Sequence, residues 1–142
     1  MNCSFYLPVD HYLIPTGEIK AVNNTPFDFR KVKSIGQEIE SAGDYDHCFV
    51  FRMEKGDCEQ IAMAFEPNSR REMTIATTEP AVQLYCGKHL DSCAEQGFNI
   101  HDGFTLETQL FPDAVNQAGF PSTILNPGDI YKQRTKYEFG TR

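Results

Sequence analysis

The stretch EQIAMAFEPNSRREMTIATT, residues 59–78, indicates the fold class of this chain. In Glu59 to Phe65, the residues Ile61, Met63 and Phe65 fall on one side of an extended chain, as a half-buried strand requires. Glu72 to Thr78 alternates in the same way. The intervening EPNSR is rich in turn-forming residues. We therefore expect the two segments to pair as an antiparallel hairpin.

Other parts of the chain also read as strands. They are Ala81 to Cys86, His47 to Arg52, Gly103 to Phe111 and a closing strand from Ile130 to Phe139. Only Lys33 to Ser41 has apolar residues at helical spacing, and it predicts a short surface helix at most. Evenly spread aromatic and β-branched residues, broken by frequent Pro and Gly, predict an all-β antiparallel sandwich. We expect Gly103 to Phe111 to be a central strand.

Length and charge limit the classes of function. The 142 residues suit one domain, residues 1–142, without an internal boundary. The chain has 13 basic and 20 acidic residues, a net charge of -7, and no run of Lys or Arg. Nucleic acids and anionic membrane surfaces are therefore not expected as partners. Met1 to Asp10 lacks the features of a secretion signal, so a cytoplasmic location is expected.

The cysteines and histidines do not form a metal-binding pattern. The five cysteines include no C-x-x-C pair, and their odd number does not make a closed set of disulfides. We expect reduced thiols that are mostly small core residues. His11, His89 and His101 have no spacing that is typical of a metal site, so no metal site is predicted.

The segment from Gly103 to Phe111 separates apolar and polar side chains onto two faces. The alternating sets are Phe104, Leu106 and Leu110 on one face and Thr105, Glu107 and Gln109 on the other. A carboxylate beside an amide, facing away from the core, suits sugars because sugars are recognised by planar polar groups. Glu107 and Gln109 are therefore candidate sugar-facing residues. The simpler alternative is that Glu107 is a solvated strand residue.

Asp46 and His47 form a second candidate pair. Adjacent residues of a strand point to opposite faces, so we do not expect both to contact one ligand. By pattern alone, His47 is interpreted as a packed interior residue rather than a catalytic one.

Six segments together resemble the signature of the aldose 1-epimerase (galactose mutarotase) family, specifically its C-terminal part. They occur in the family's order and at comparable spacing, and the match runs from about Tyr6 to Phe139. The segments are LIPTGEI at 13–19, TPFDFR at 25–30, YDH at 45–47, TTEP with VQLY at 77–80 and 82–85, LETQ at 106–109 and FPDAVNQ at 111–117.

The resemblance implies a β-sandwich enzyme of the cytoplasm that interconverts the α and β anomers of hexoses such as galactose and glucose, without metal or organic cofactor. Glu107 matches the family's general base, which takes the proton of the anomeric hydroxyl. Asp46 matches a carboxylate that holds sugar hydroxyls. With Gln109, these residues make up the predicted site.

The sequence also departs from the family pattern. The family's general acid is a histidine in an N-terminal region, and no histidine here lies in the matching motif. We therefore expect the family's N-terminal strands and acid to be missing, unless another chain supplies that half. Cys48 stands where the family usually has Asn. Ser69-Arg70-Arg71 stands where a Ser-Gly-Arg turn is usual, so Arg70 is expected to meet a backbone conformation that favours glycine.

Three hypotheses of function remain open. The first is an aldose 1-epimerase acting by general acid and base catalysis. The second is a non-catalytic, truncated homologue that keeps part of a carbohydrate-binding face. The third is a structural β-module that binds no sugar. Glu107 and Asp46 favour the first over the third, whereas the missing acid favours the second for this chain alone.

Overall fold

The computed structural model describes residues 1–54 and 56–142. In these residues, strands form a five-stranded and a three-stranded sheet, with orders β2-β1-β3-β6-β7 and β4-β5-β8. The strands are β1 (Phe5–Tyr6), β2 (Lys20–Ala21), β3 (Asp46–Val50), β4 (Glu59–Phe65), β5 (Arg71–Thr77), β6 (Ala81–Tyr85), β7 (Thr105–Gln109) and β8 (Thr135–Thr141). Each pairing between them is antiparallel. The predicted fold class, an antiparallel β-sandwich, is confirmed.

The predicted hairpin is present as β4 and β5, joined by a tight turn. The Glu66 carboxylate accepts hydrogen bonds from the backbone nitrogens of Ser69, at 2.5 Å, and Asn68, at 3.0 Å. The Ser69 side chain, followed by these two backbone donors, lowers the pKa of Glu66 to about 2. Arg70 has a φ of +59°, as expected for a residue that replaces a turn glycine.

The predicted alternation along β4 is wrong at Ile61. The pairing register shifts between Gln60 and Ala62, which makes Ile61 the extra residue of a β-bulge. Ile61 and Ala62 are consequently both buried, although a regular strand would point them to opposite faces. Phe65, predicted on the side of Ile61, is 39% exposed.

The predicted central position of Gly103 to Phe111 is also wrong. Within the described residues its strand, β7, pairs with β6 alone and forms an edge of the five-stranded sheet. The closing strand β8 pairs instead with β5 in the other sheet. Side chains of β8 link it to β7: the Tyr137 hydroxyl donates to the backbone carbonyl of Leu106 at 2.8 Å, and the Thr108 and Thr135 hydroxyls lie 2.6 Å apart.

The core lies between the two sheets. Phe49 and Leu84 from the five-stranded sheet share one buried cluster with Ile61 and Ile75 from the three-stranded sheet. Aromatic rings add to this cluster, and the ring of Tyr45 lies 5.1 Å from that of Phe29. Burial of such side chains contributes about 1.5 to 3 kcal/mol each. One face of the five-stranded sheet therefore packs in this core. Its other face carries a smaller buried cluster, which includes Cys48, Phe111 and Phe120, and the site.

The cysteines behave largely as predicted. All five are free thiols. Cys3, Cys48 and Cys86 are buried, and burial raises the pKa of each to about 12. Cys58 and Cys93 are half-buried.

Helical structure is confined to short turns. The predicted segment from Lys33 to Ser41 contains a 3₁₀ turn, Ile35–Glu38, followed by one α-helical turn, Ile39–Ala42. The expectation that it would be the only helix is wrong, because Leu90–Gln96 forms a second 3₁₀ element. That element is too short to show apolar periodicity. None of the helices in the described residues is long and apolar enough to cross a membrane.

Candidate functional site

A cleft of about 320 Å³ opens on the face of the five-stranded sheet that points away from the main core. Strands β3, β6 and β7 supply its floor. β3 contributes Asp46 and Cys48, β6 contributes Gln83 and Tyr85, and β7 contributes Glu107 and Gln109. Its wall comes from Leu7, Val9, Leu13, Pro15 and Pro112. The predicted site residues Asp46, Glu107 and Gln109 therefore meet in one cleft.

Strand register explains this convergence. Cys48 pairs with Gln83, and Gln83 pairs with Glu107, so the three side chains point to the same face of the sheet. Asp46 lies two residues before Cys48 on β3, and Gln109 lies two residues after Glu107 on β7, so both share that face. The predicted separation of the two faces of β7 is confirmed at Leu106, which is buried in the core opposite Glu107. Leu110 is only half-buried.

Gln83 links two of the predicted site residues. Its Nε2 donates a hydrogen bond to Asp46 Oδ1 at 2.7 Å. The Nε2 of Gln109 donates to Gln83 Oε1 at 3.4 Å. These contacts run diagonally across the sheet, where side chains on neighbouring strands come within reach. The Gln83 amide is therefore oriented by both neighbours and holds the Asp46 carboxylate in place.

Sequence reasoning placed Gln83 within a motif but gave it no role. A signal was available, because Gln83 is the polar residue between Val82 and Leu84, which both point into the core. Alternation alone places Gln83 on the face of the sheet opposite those two residues. It does not identify the neighbours on β3 and β7.

Glu107 lies at the exposed edge of the cleft. Its Oε1 accepts a hydrogen bond from the Thr105 hydroxyl at 2.8 Å, which comes from the same face of the same strand. Tyr85 lines the cleft near its other end, and its hydroxyl accepts a hydrogen bond from the backbone nitrogen of His89 at 3.0 Å. Glu107 is thus open to solvent and to a ligand, whereas Tyr85 is anchored.

His47 does not line the cleft. Its ring lies 4.6 Å from that of Phe27 and 6.2 Å from that of Tyr6, on the face opposite Asp46. Burial lowers the pKa of His47 from its ordinary value of 6.5. The interpretation of His47 as a packed residue agrees with this position.

The electrostatics of the cleft favour ligands that donate hydrogen bonds. Asp46 and Glu107 are carboxylates, and the described residues that line the cleft include no Lys, Arg or His. Ionised carboxylates accept hydrogen bonds and do not donate them. Hydroxyl groups suit this arrangement, whereas a phosphate or carboxylate ligand would be repelled.

The cleft residues lie within segments that match a known family over almost the whole chain. The family model for aldose 1-epimerase matches residues 1–138. The chain belongs to the aldose 1-epimerase family. The matched region includes each residue of the cleft.

Several curated relatives of this aldose 1-epimerase family member carry related names. It is 41% identical to the galactose mutarotase of Bos taurus and 40% identical to that of Homo sapiens, over 142 residues in each case. It is 34% identical over 146 residues to the aldose 1-epimerase of Escherichia coli strain K12. Each match covers 94% of this chain but only 41% to 42% of the relative. The chain therefore spans about two fifths of these relatives' length.

Solved structures give the same family assignment. The GalM/aldose epimerase homologue of C. elegans superposes with a TM-score of 0.83 at 26% identity, and the match covers 99% of this chain and 44% of that one. The galactose 1-epimerase of Lactobacillus acidophilus gives a TM-score of 0.66 at 25% identity, covering 99% and 42%. The two-sheet architecture is thus that of the aldose epimerases.

Proposed function

We propose that this chain provides the base and part of the sugar-binding face of an aldose 1-epimerase, an isomerase that interconverts the anomers of free hexoses such as galactose and glucose. One observation carries the proposal: Asp46, Glu107 and Gln109, chosen from sequence, all line the same cleft. Family membership supports the same class of reaction.

The chemistry is that of a cyclic hemiacetal. Glu107 takes the proton from the hydroxyl on C1, and an acid protonates the ring oxygen as the bond between C1 and that oxygen breaks. The product is an open-chain aldehyde. Rotation about the C1–C2 bond and closure from the other face return both protons and give the second anomer. Each proton-transfer group contributes about 10² to 10⁴ in rate.

The binding roles follow from the polar contacts. Asp46, oriented by Gln83, accepts hydrogen bonds from sugar hydroxyls. Gln109 adds an amide beside Glu107 and limits how the sugar is turned. Asp46 and Glu107 contact the sugar from the same side. Glu107, the proton acceptor, is then near the anomeric hydroxyl, and the opposite side of the sugar stays open to the acid.

In our proposal, the acid that protonates the ring oxygen is not one of the cleft residues described above. His47, the histidine nearest to the site residues in sequence, points away from the cleft. We propose that a separate polypeptide segment, corresponding to the part of the relatives that this chain does not match, supplies the proton donor and completes the cleft. The chain alone is then expected to bind sugar but to accelerate anomer exchange little.

A second candidate function is sugar binding without catalysis. It is favoured by the same feature, a cleft with hydrogen-bond acceptors but without a histidine among its described residues. Adding the part of a relative that this chain does not match separates the two functions, because only the first predicts that anomer exchange then becomes fast.

Polarimetry with freshly dissolved α-galactose tests the proposal. The chain alone should change the rotation barely faster than buffer does, whereas the chain mixed with the unmatched part of a galactose mutarotase should act about 10² to 10⁴ times faster. Glu107→Gln should abolish the gain because an amide does not accept the proton, and Glu95→Gln, at an exposed position, should keep it. Full activity of the complemented Glu107→Gln variant would refute the role of Glu107.

A further inference from the structure

One wall of the cleft is a short, tightly bonded loop. Val9 and Pro15 form a β-bridge at its base. The Asp10 carboxylate accepts hydrogen bonds from the backbone nitrogens of Tyr12, at 2.8 Å, and Ile14, at 3.1 Å. The backbone of Asp10 also bonds Leu13 at 3.0 Å and Ile14 at 2.9 Å. We name residues 9–15 the Asp10 loop.

The Asp10 loop holds Leu13 in an unfavourable conformation. Leu13 has a φ of +64°, a left-handed geometry that is rare for residues other than Gly, Asn and Asp. Leu13 is nevertheless 53% exposed, although it is apolar, and it lines the cleft. Core packing does not explain this position. Strain of this kind persists where surrounding bonds enforce it, and it is concentrated at ligand-binding sites.

The cleft therefore has two chemically different sides. Its floor is polar and contains Asp46, Gln83, Glu107 and Gln109, whereas the wall near Leu13 is apolar. A closed pyranose ring has the same division: its hydroxyls point outward around the ring, while its C–H groups form apolar patches on the ring faces. An open-chain polyol has the hydroxyls but does not present a fixed apolar face.

We propose that Leu13 is a specificity-determining residue, which packs against the C–H face of a closed pyranose and makes the cleft prefer ring sugars over open-chain polyols. This inference rests on the proposed sugar-binding function. The Asp10 loop gives the preference by keeping Leu13 in the wall of the cleft that contains the polar floor. Rigid apolar contact raises affinity because the wall is already ordered before the ligand arrives.

The test compares two ligands with the 142-residue chain by NMR titration. Methyl β-galactoside has a closed ring and does not mutarotate, and galactitol is the matching open-chain polyol. Leu13→Asn removes the apolar side chain and substitutes a residue that adopts positive φ readily, so the fold should be kept or stabilised. We expect about three- to tenfold weaker binding of the galactoside, because its ring face no longer packs against an apolar wall, and less than twofold change for galactitol.

Tyr12→Asn is the matched control, because Tyr12 is 72% exposed on the same loop and is not among the residues lining the cleft. It should leave both affinities unchanged. Unchanged galactoside binding by folded Leu13→Asn overturns the inference and leaves the proposed function standing. An equal loss of affinity for the galactoside and galactitol also overturns it, because Leu13 would then not distinguish a closed ring from an open chain. If the unmodified chain does not bind the galactoside, both the inference and the proposed function are overturned.

Discussion

Gln117 donates a hydrogen bond from Nε2 to the carbonyl oxygen of Pro15 at 3.0 Å, and 102 residues of sequence separate the two. The same Nε2 donates to Asp113 Oδ2 at 2.8 Å. The end of the Asp10 loop is thereby joined to the segment that follows β7. Two of the segments that suggested the family, LIPTGEI and FPDAVNQ, are thus in direct contact beside the cleft.

Gly17 should be intolerant of a side chain because of this contact. It has a φ of +87°, and a Cβ at this position would lie 2.5 Å from Gln117 Oε1. We expect Gly17→Ala to lower the free energy of unfolding by about 1 to 3 kcal/mol, measured by urea denaturation. Gly43→Ala is the control, since Gly43 also has a positive φ, +71°, but its Cβ would meet nothing within 4 Å. Equal effects at both positions would contradict the importance of the Gly17 contact.

Gln83 should matter for binding more than for folding. Gln83→Met keeps a similar side-chain length but removes the donor to Asp46 Oδ1. A hydrogen bond to a charged group is worth about 1.5 to 3 kcal/mol, so we expect roughly tenfold weaker binding of methyl β-galactoside by NMR titration. Gln60→Met, at an exposed position on β4, should bind normally. Normal binding by Gln83→Met would show that Asp46 needs no positioning by this amide.

The turn between β4 and β5 should be improved by a residue suited to its backbone. Arg70 has a φ of +59°, which costs about 1 kcal/mol for a residue with an ordinary Cβ. Arg70→Asn should therefore raise the free energy of unfolding by about 0.5 to 1 kcal/mol. Arg71→Asn, at the first residue of β5, should give no such gain. A loss of stability in Arg70→Asn would mean that the arginine side chain outweighs its backbone strain.

His47 should make the stability depend on pH near neutrality. Burial lowers its pKa below 6.5, so the unfolded chain binds the proton more readily than the folded chain does. The stability it contributes is fully present above about pH 6.5, and it is lost as the pH falls from there through the lower folded pKa. His47→Phe should flatten this part of the profile of unfolding free energy against pH, while keeping a ring beside Phe27. His89→Phe, at an exposed position, should leave the slope intact.

Local pattern was sufficient for much of the fold. The β4–β5 hairpin and the opposite facing of Asp46 and His47 each follow from residues within a single segment. Prediction of these features succeeds because the geometry of an extended backbone alternates side chains regardless of the partner strand. The positive φ of Arg70 was foreseen for a similar local reason, namely the loss of a turn glycine.

The candidate site depended on both levels of information. Glu107, Gln109 and Asp46 were selected from their strand faces and from the family resemblance, and all three line the cleft. Gln83 gained its role only when β6 was seen to lie between β3 and β7. Leu13 was part of a motif, but its exposure over the polar floor depends on bonds to Asp10 within a folded loop.

The sequence by itself therefore determined roughly where β3 to β8 lie, where the hairpin turns and which side chains share a face along regular strands, but it did not indicate the two-residue strands β1 and β2. Tertiary structure alone decided that β7 is an edge among the described strands, that Ile61 occupies a bulge and that Gln83 joins Asp46 to Gln109. The physical reason is the distance along the sequence over which each interaction acts. Side-chain alternation is set by neighbouring peptide units, whereas strand order and register depend on packing between segments tens of residues apart.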